Sequence, residues 1–338
     1  LGFSEQRSEW GLTTSGNDAL GLQNYAINAT YDTKLKRGAG AISYAYADRL
    51  FLSARLLNEI TLDDSDEIAR INERSIAGLI FATPDYYLKQ QYNFLLGVIY
   101  DNSQEVDVAD GIAPLGDFED NLLAAGFLFN NSDINPLSIS NVDGMKLRLA
   151  AEDSDTLGSD YTGQVYTLDW RGYLRTGRES VFALRFVQGW GTDDPRPFKL
   201  GGEGLNDDAI SILFASGGEP VFNARNYALR GYAEGEPQLV GRRAQILTAE
   251  WRFPMQRIED GYMVPPVGLM QWFGEVFAET GAAYQDSPET YYSSAGVEIT
   301  ADINIFYFVV LRTRLGYAHG FDKDIGDDRV YIKIGGNF

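Results

Sequence analysis

The sequence predicts an all-β chain, a transmembrane antiparallel β-barrel of about 16 strands with long extracellular loops. Three observations predict it. The chain closes on Val330-Tyr331-Ile332-Lys333-Ile334-Gly335-Gly336-Asn337-Phe338. Val330, Ile332, Ile334, Gly336 and Phe338 share one face of that stretch, and Tyr331, Lys333, Gly335 and Asn337 share the other. Alternation of period two marks a strand with one apolar and one polar face. Chain ends are usually frayed and polar, so a bare terminal phenylalanine suits a last strand that must pair to close a barrel. Similar stretches recur along the chain at roughly the nine to eleven residues a tilted strand needs to cross a bilayer. The connections between them alternate between long and short, as in membrane barrels.

Taken in order, the expected strands are Glu9–Ser15, Leu22–Asp32, Gly38–Ala47, Leu50–Asn58, Ser75–Pro84, Gln90–Asp101, Asn121–Asn131 and Met145–Asp153. They continue with Tyr161–Leu174, Ser180–Gly191, Ala244–Phe253, Phe273–Tyr284, Ser293–Asp302, Val309–His319 and Val330–Phe338. Acidic stretches such as Thr61–Glu73 and Asn102–Glu119 read as long loops, while Ala47–Leu50 and Arg175–Glu179 read as tight turns. Single-chain bacterial barrels have even strand numbers. With the C-terminus on the periplasmic side, counting backwards leaves Glu9–Ser15 as the second strand. A first strand is then expected partly in Leu1–Ser4 or upstream, short or truncated. The whole chain, 1–338, reads as one barrel domain, with 192–243 as its sixth extracellular loop. A propeller would show a repeat of about 40–50 residues, and none is found.

Composition is compatible with this reading and excludes others. No run of 18 apolar residues occurs, so helical membrane spans are excluded. An apolar content of 44% with mean hydropathy −0.22 suits strands of which only alternate residues face lipid. Gly 36, Tyr 20 and Phe 19 fit turn-rich strands with interfacial aromatics. The net charge of −20 argues against nucleic acid as a partner. Cys 0 excludes disulfides and thiolate metal sites. No leader sequence is visible at Leu1, so a mature fragment with its start removed is expected.

From Phe198 to the C-terminus, several ordered motifs carry a family resemblance. They are Phe198-Lys199-Leu200-Gly201-Gly202, Leu229-Arg230-Gly231-Tyr232, Glu250-Trp251-Arg252-Phe253-Pro254 and Val276-Phe277-Ala278-Glu279-Thr280-Gly281. Ser294-Ala295-Gly296-Val297, Arg314-Leu315-Gly316-Tyr317-Ala318 and the terminal strand complete the order. Each is weak alone; together they resemble the Omp85 superfamily of BamA- and TamA-like outer-membrane barrels, the bacterial surface antigens that insert or translocate proteins. The first half matches only in strand rhythm. Two departures stand out. Glu279 replaces the aspartate of the family's F-x-D-x-G strand, and the stretch from Gly202 to Arg230 is longer than the family's compact loop.

The resemblance implies that Leu229-Arg230-Gly231-Tyr232 folds down inside the barrel, with Glu250 and Glu279 facing Arg230 in the lumen. A guanidinium there needs carboxylate partners, which its planar fork binds bidentately. It also implies a seam between the last and first strands that opens laterally, so that a client strand pairs with the exposed edge. Val330, Ile332, Ile334, Gly335, Gly336 and Phe338 would form that seam and the C-terminal signal. Gly335-Gly336 would weaken the strand; the alternative is that the glycines accommodate an interior bulge or a loop-six contact.

Other constellations read as bland. His319 is the single histidine and sits at an expected strand end, where an interfacial polar role fits. No nucleophile elbow, P-loop or H-E-x-x-H occurs, so no enzyme and no cofactor are expected. The acidic stretches 63–67 and 322–328 lack EF-hand spacing and read as solvated or lipopolysaccharide-bridging loops. Tyr86-Tyr87 and Trp272-Phe273 read as girdle aromatics. The function implied is insertion or translocation of protein substrates across a Gram-negative outer membrane. Expected partners are its lipids and lipopolysaccharide, unfolded protein clients, and periplasmic domains or lipoproteins. The alternative is a passive pore, or a membrane anchor or self-exporter for a missing N-terminal domain.

Overall fold

The computed structural model describes residues 2–3, 8–62, 68–109, 116–134, 140–177, 179–202, 222–233, 235–262, 267–305 and 309–336. Alternating stretches become strands in chain order: β1 (Gly2–Phe3), β2 (Ser8–Asn17), β3 (Gln23–Asp32), β4 (Arg37–Tyr46), β5 (Leu50–Leu62) and β6 (Ile68–Tyr87). There follow β7 (Gln90–Val108), β8 (Phe118–Asn130), β9 (Gly144–Asp153), β10 (Gln164–Arg175) and β11 (Val181–Gly191). Three short strands come next, β12 (Phe198–Leu200), β13 (Asn226–Tyr227) and β14 (Val240–Gly241). The chain ends with β15 (Arg243–Tyr262), β16 (Val267–Tyr284), β17 (Tyr292–Ile305), β18 (Val309–Gly320) and β19 (Asp328–Gly336).

All the long strands join one 16-stranded antiparallel sheet in sequence order, β11 pairing directly with β15 across the long insertion. Its first member, β1, is two residues long and pairs Gly2 with Glu9 and Phe3 with Ser8. Among the described residues no pair joins β19 to β1. The sheet is curled into a barrel. The insertion after β11 touches Asp101 of β7 and Glu152 of β9 through its first part and Glu279 of β16 through Arg230. Both halves of the sheet therefore face one interior.

Alternation sorts the two faces. On β7, Phe94, Leu96 and Tyr100 are exposed, while Leu95, Ile99 and Asp101 are buried. The outer face continues with Leu123, Leu149, Phe186, Leu247, Trp251, Val276 and Val297, an apolar surface of the kind lipid covers. The inner face is not uniformly polar. Ile76, Ile80, Leu95, Ile99, Leu122 and Ala124 form an apolar patch inside β6–β8, with Phe222 of the insertion packed on it. Covered in this way, that wall is apolar on both faces.

Two expectations need correction. Much of the stretches Thr61–Glu73 and Asn102–Glu119 is strand rather than loop: pairing continues from Arg74↔Ser103 out to Arg70↔Val108. Arg70 meets Glu105 of the neighbouring β7 at 3.3 Å, and Arg37 of β4 reaches Glu73 across β5 at 3.7 Å, so complementary charges support the extension. Beyond the bilayer a strand need not be apolar, and a charged strand looks like a loop in sequence. At the barrel end opposite the insertion, β15 and β16 also run on, with register shifts between Pro254 and Gln256 and between Arg257 and Asp260. Proline brings no N–H to the ladder, so pairing resumes past a bulge. Tyr86 and Tyr87 stand exposed at the end of β6. Phe273 does not belong to a girdle: it is buried on the face of Glu275, Phe277 and Glu279, with the Arg312 guanidinium 5.6 Å from its ring centre.

Candidate functional site

The insertion between Gly191 and Arg243 builds a small fold of its own inside the barrel. β12 pairs parallel with β13 and antiparallel with β14. Phe198, Leu200, Tyr227, Leu229, Tyr232 and Leu239 pack against Val165, Val187, Ala244 and Ile246 of the wall. Most of the lengthened stretch between Gly202 and Arg230, residues 203–221, lies outside the described residues.

The turn Leu229-Arg230-Gly231-Tyr232 sits at the centre. Leu229 and Tyr232 are fully buried. Gly231 takes φ +90°, and an added Cβ would stand 2.6 Å from the Gly320 nitrogen. Both the left-handed backbone and the close approach demand glycine. The Gly231 carbonyl accepts from the Asp327 N–H at 3.0 Å, and the Tyr232 hydroxyl donates to the Ser293 carbonyl at 2.7 Å.

Arg230 is 6% exposed and engages carboxylates from three neighbouring strands. Its Nε and Nη2 donate to Glu279 Oε1 at 3.0 and 2.7 Å, and its backbone N–H donates to Glu279 Oε2 at 2.8 Å. Nη2 also reaches Glu250 Oε1 at 3.0 Å. Nη1 reaches Glu298 Oε1 at 2.9 Å and Glu275 Oε1 at 3.3 Å. The guanidinium carbon lies 3.4 Å over the Phe277 ring centre, a cation–π contact in a desolvated place. Burial alone would lower the Arg230 pKa, but Glu279 and Glu250 outweigh it and hold it well above its ordinary value. Arg252 closes the group, bonding Glu250 and also Glu275, the latter at 3.1 Å.

Sequence reasoning named Glu250 and Glu279 and missed Glu275 and Glu298. The parity of β16 was the available signal, since Glu275 shares a face with Glu279. Glu298 falls just after the Ser294–Val297 stretch and follows the same parity.

A second anchorage lies across the lumen and carries no motif. Phe222 is fully buried on the apolar patch above Gly97, where a Cβ would stand 3.1 Å from its ring. Arg225 pairs with Glu152 of β9, whose Oε1 accepts the Asn223 N–H at 2.6 Å. Arg196 bonds Asp101 Oδ2 at 2.9 Å, and Arg74 of β6 donates to the same carboxylate at 2.6 and 2.7 Å. These pairs join residues up to 95 positions apart, beyond the reach of local pattern.

The remaining candidates lie on the last strand. Val330 and Ile332 face outward at 74% and 67% exposure. Ile334, Gly335 and Gly336 pair with Thr313, Arg312 and Leu311 of β18. Phe338 lies outside the described residues. His319 Nδ1 is 2.6 Å from Asp328 Oδ1, which also accepts the Tyr317 hydroxyl at 2.7 Å. Asp322 Oδ1 accepts the Asp324 and Ile325 N–H groups, shaping the turn before β19.

No protein-family model and no curated protein matches the chain. Among solved structures it is similar to BamA from Haemophilus ducreyi lacking POTRA domains 1–3, with a TM-score of 0.53 at 14% identity. The alignment covers 97% of this chain and 69% of that one. The likeness is one of fold.

Proposed function

We propose that the chain is an Omp85-type barrel of a Gram-negative outer membrane that inserts or translocates protein substrates. A lateral seam and a lumen plugged by loop six would supply the mechanism, with the C-terminus on the periplasmic side. The observation that carries the reading is Arg230: a loop arginine held by Glu250, Glu275, Glu279 and Glu298 at the heart of the lumen. A passive wall would gain little from threading a loop through its own bore. The likeness of fold to BamA supports the same reading. Lipids and lipopolysaccharide would cover the outer face, and unfolded outer-membrane proteins would be the clients. No residue is assigned a catalytic role.

The seam is the place to test it. β19 is bonded along one edge to β18, and its outward residues Val330 and Ile332 are exposed. A free strand edge is a template for another strand. A photo-crosslinker at Ile332, installed in living cells, should capture nascent outer-membrane barrel strands. Crosslinks confined to the barrel's own first strands would overturn the reading in favour of a pore or anchor.

A further inference from the structure

Glu298 joins loop six to the closing strand. Its Oε1 accepts from Arg230 Nη1 at 2.9 Å and from the Tyr331 hydroxyl at 2.5 Å. Tyr331 belongs to β19, and only 8% of it is exposed. Its ring fills the space over Gly316 of β18, where a Cβ would stand 2.3 Å from the ring carbon bearing the hydroxyl. Phe277, the ring beneath Arg230, packs in the same small cluster with Ala318.

Charge explains why a phenol is needed. The carboxylates of Glu250, Glu275, Glu279 and Glu298 meet the guanidiniums of Arg230 and Arg252. Arg252 serves Glu250 and Glu275, and Glu279 takes two donors from the Arg230 side chain. Glu298 receives one N–H from Arg230, and the Tyr331 hydroxyl is its second donor. A buried carboxylate short of donors is costly, so the phenol is held firmly.

The backbone repeats the link at the end of the hairpin. Besides the Asp327 N–H bonded to the Gly231 carbonyl, Tyr232 bridges Gly326, and the Asp322 N–H reaches the Tyr232 hydroxyl at 3.4 Å. Loop six thus grips the β18–β19 hairpin at its tip and, through Tyr331, along the strand itself. The other edge of β19 has no partner among the described residues.

We propose that Tyr331 is a positioning residue that ties the seam strand to loop six, so that release of Arg230 frees β19 and an engaged Arg230 keeps it docked. Its functional meaning rests on the seam reading above; the coupling itself rests on these bonds. Amide exchange along β19, measured on the full chain in a bilayer, should run about tenfold faster in Tyr331→Phe, which removes one charge-assisted bond and leaves the ring in its notch. Arg230→Lys should speed the same amides, and adding Tyr331→Phe to it should change little, because both break one chain of contacts. Tyr317→Phe is the control: it removes a tyrosine–aspartate bond on the outer face of the same hairpin, and its effect should add to that of Arg230→Lys. Unchanged β19 exchange in Tyr331→Phe, or simple additivity with Arg230→Lys, overturns the coupling. Crosslinking at Ile332 then separates the two ideas. More strand capture in Tyr331→Phe supports both, whereas faster exchange with unchanged capture upholds the coupling and counts against the seam as the client's route.

Discussion

Arg230 shows how one side chain can hold a loop against its entropy. Closing a long loop into a lumen orders many residues, and each ordered backbone residue costs about 1–2 kcal/mol. Six hydrogen bonds from this residue, five of them from its guanidinium, offset part of that. Arg230→Ala removes the charge and leaves Glu250, Glu275, Glu279 and Glu298 crowded in a desolvated site with Arg252 as their remaining guanidinium. Breaking a buried pair on one side costs about 3–5 kcal/mol. The variant should therefore lose heat-modifiable migration at a clearly lower temperature and, under the function proposed above, show impaired client insertion; wild-type behaviour on both counts would remove Arg230 from the proposed mechanism. This residue was legible in the sequence because the Leu229–Tyr232 turn is a contiguous pattern. Its partners were half legible. Glu250 and Glu279 sit inside motifs, whereas Glu275 and Glu298 are ordinary glutamates whose meaning appears once strand parity and proximity to Arg230 are known.

The strands themselves were legible through alternation, and most of their cores coincide with the stretches read from sequence. Their ends were not. The bilayer sets a minimum length for a spanning strand, but β6 continues for 20 residues and β7 for 19, past any membrane requirement. The extension is written in paired charges, which sequence patterning treats as loop. It predicts that amides of Asn72–Arg74 and Ser103–Glu105 exchange slowly, like those of membrane-embedded strands. Arg74→Ala should abolish that protection, since it strips Asp101 of its bidentate partner and Glu59 of its bond at 3.2 Å. Rapid exchange at these amides in the wild type would mean that the hairpin ends where its apolar alternation ends. The apolar patch inside β6–β8 was likewise hidden, because a two-sided apolar strand reads the same whether its inner face meets another layer or a single phenylalanine.

At the scale of the molecule, loop six is a strut between two walls, and the two ends differ in chemistry. The Arg230 end is a charged cluster whose partners lie on β15, β16 and β17. The opposite end combines Phe222 on apolar side chains with Arg225 on Glu152 and Arg196 on Asp101. Cutting either end alone leaves the loop tethered across the bore, so a pore blocked by a strut should open in full only when both fail. Phe222→Ser with Arg196→Ala and Arg225→Ala frees the far end: it removes a buried phenylalanine, a change of about 3–5 kcal/mol when the site cannot collapse, and leaves Asp101 and Glu152 without the loop's cations. Single-channel recording in planar bilayers should then show brief openings above the wild-type level, because the loop swings while still hinged at Arg230. Adding Arg230→Ala should convert these to a sustained open state of larger conductance. Salt should matter little to the closed state, since buried pairs are screened far less than surface ones. The acidic outer loops will instead colour its ion preference as ionic strength falls. If the quadruple variant conducts no better than the wild type, the loop is not what blocks the bore, and the lumen must be closed by the inward side chains of the wall itself.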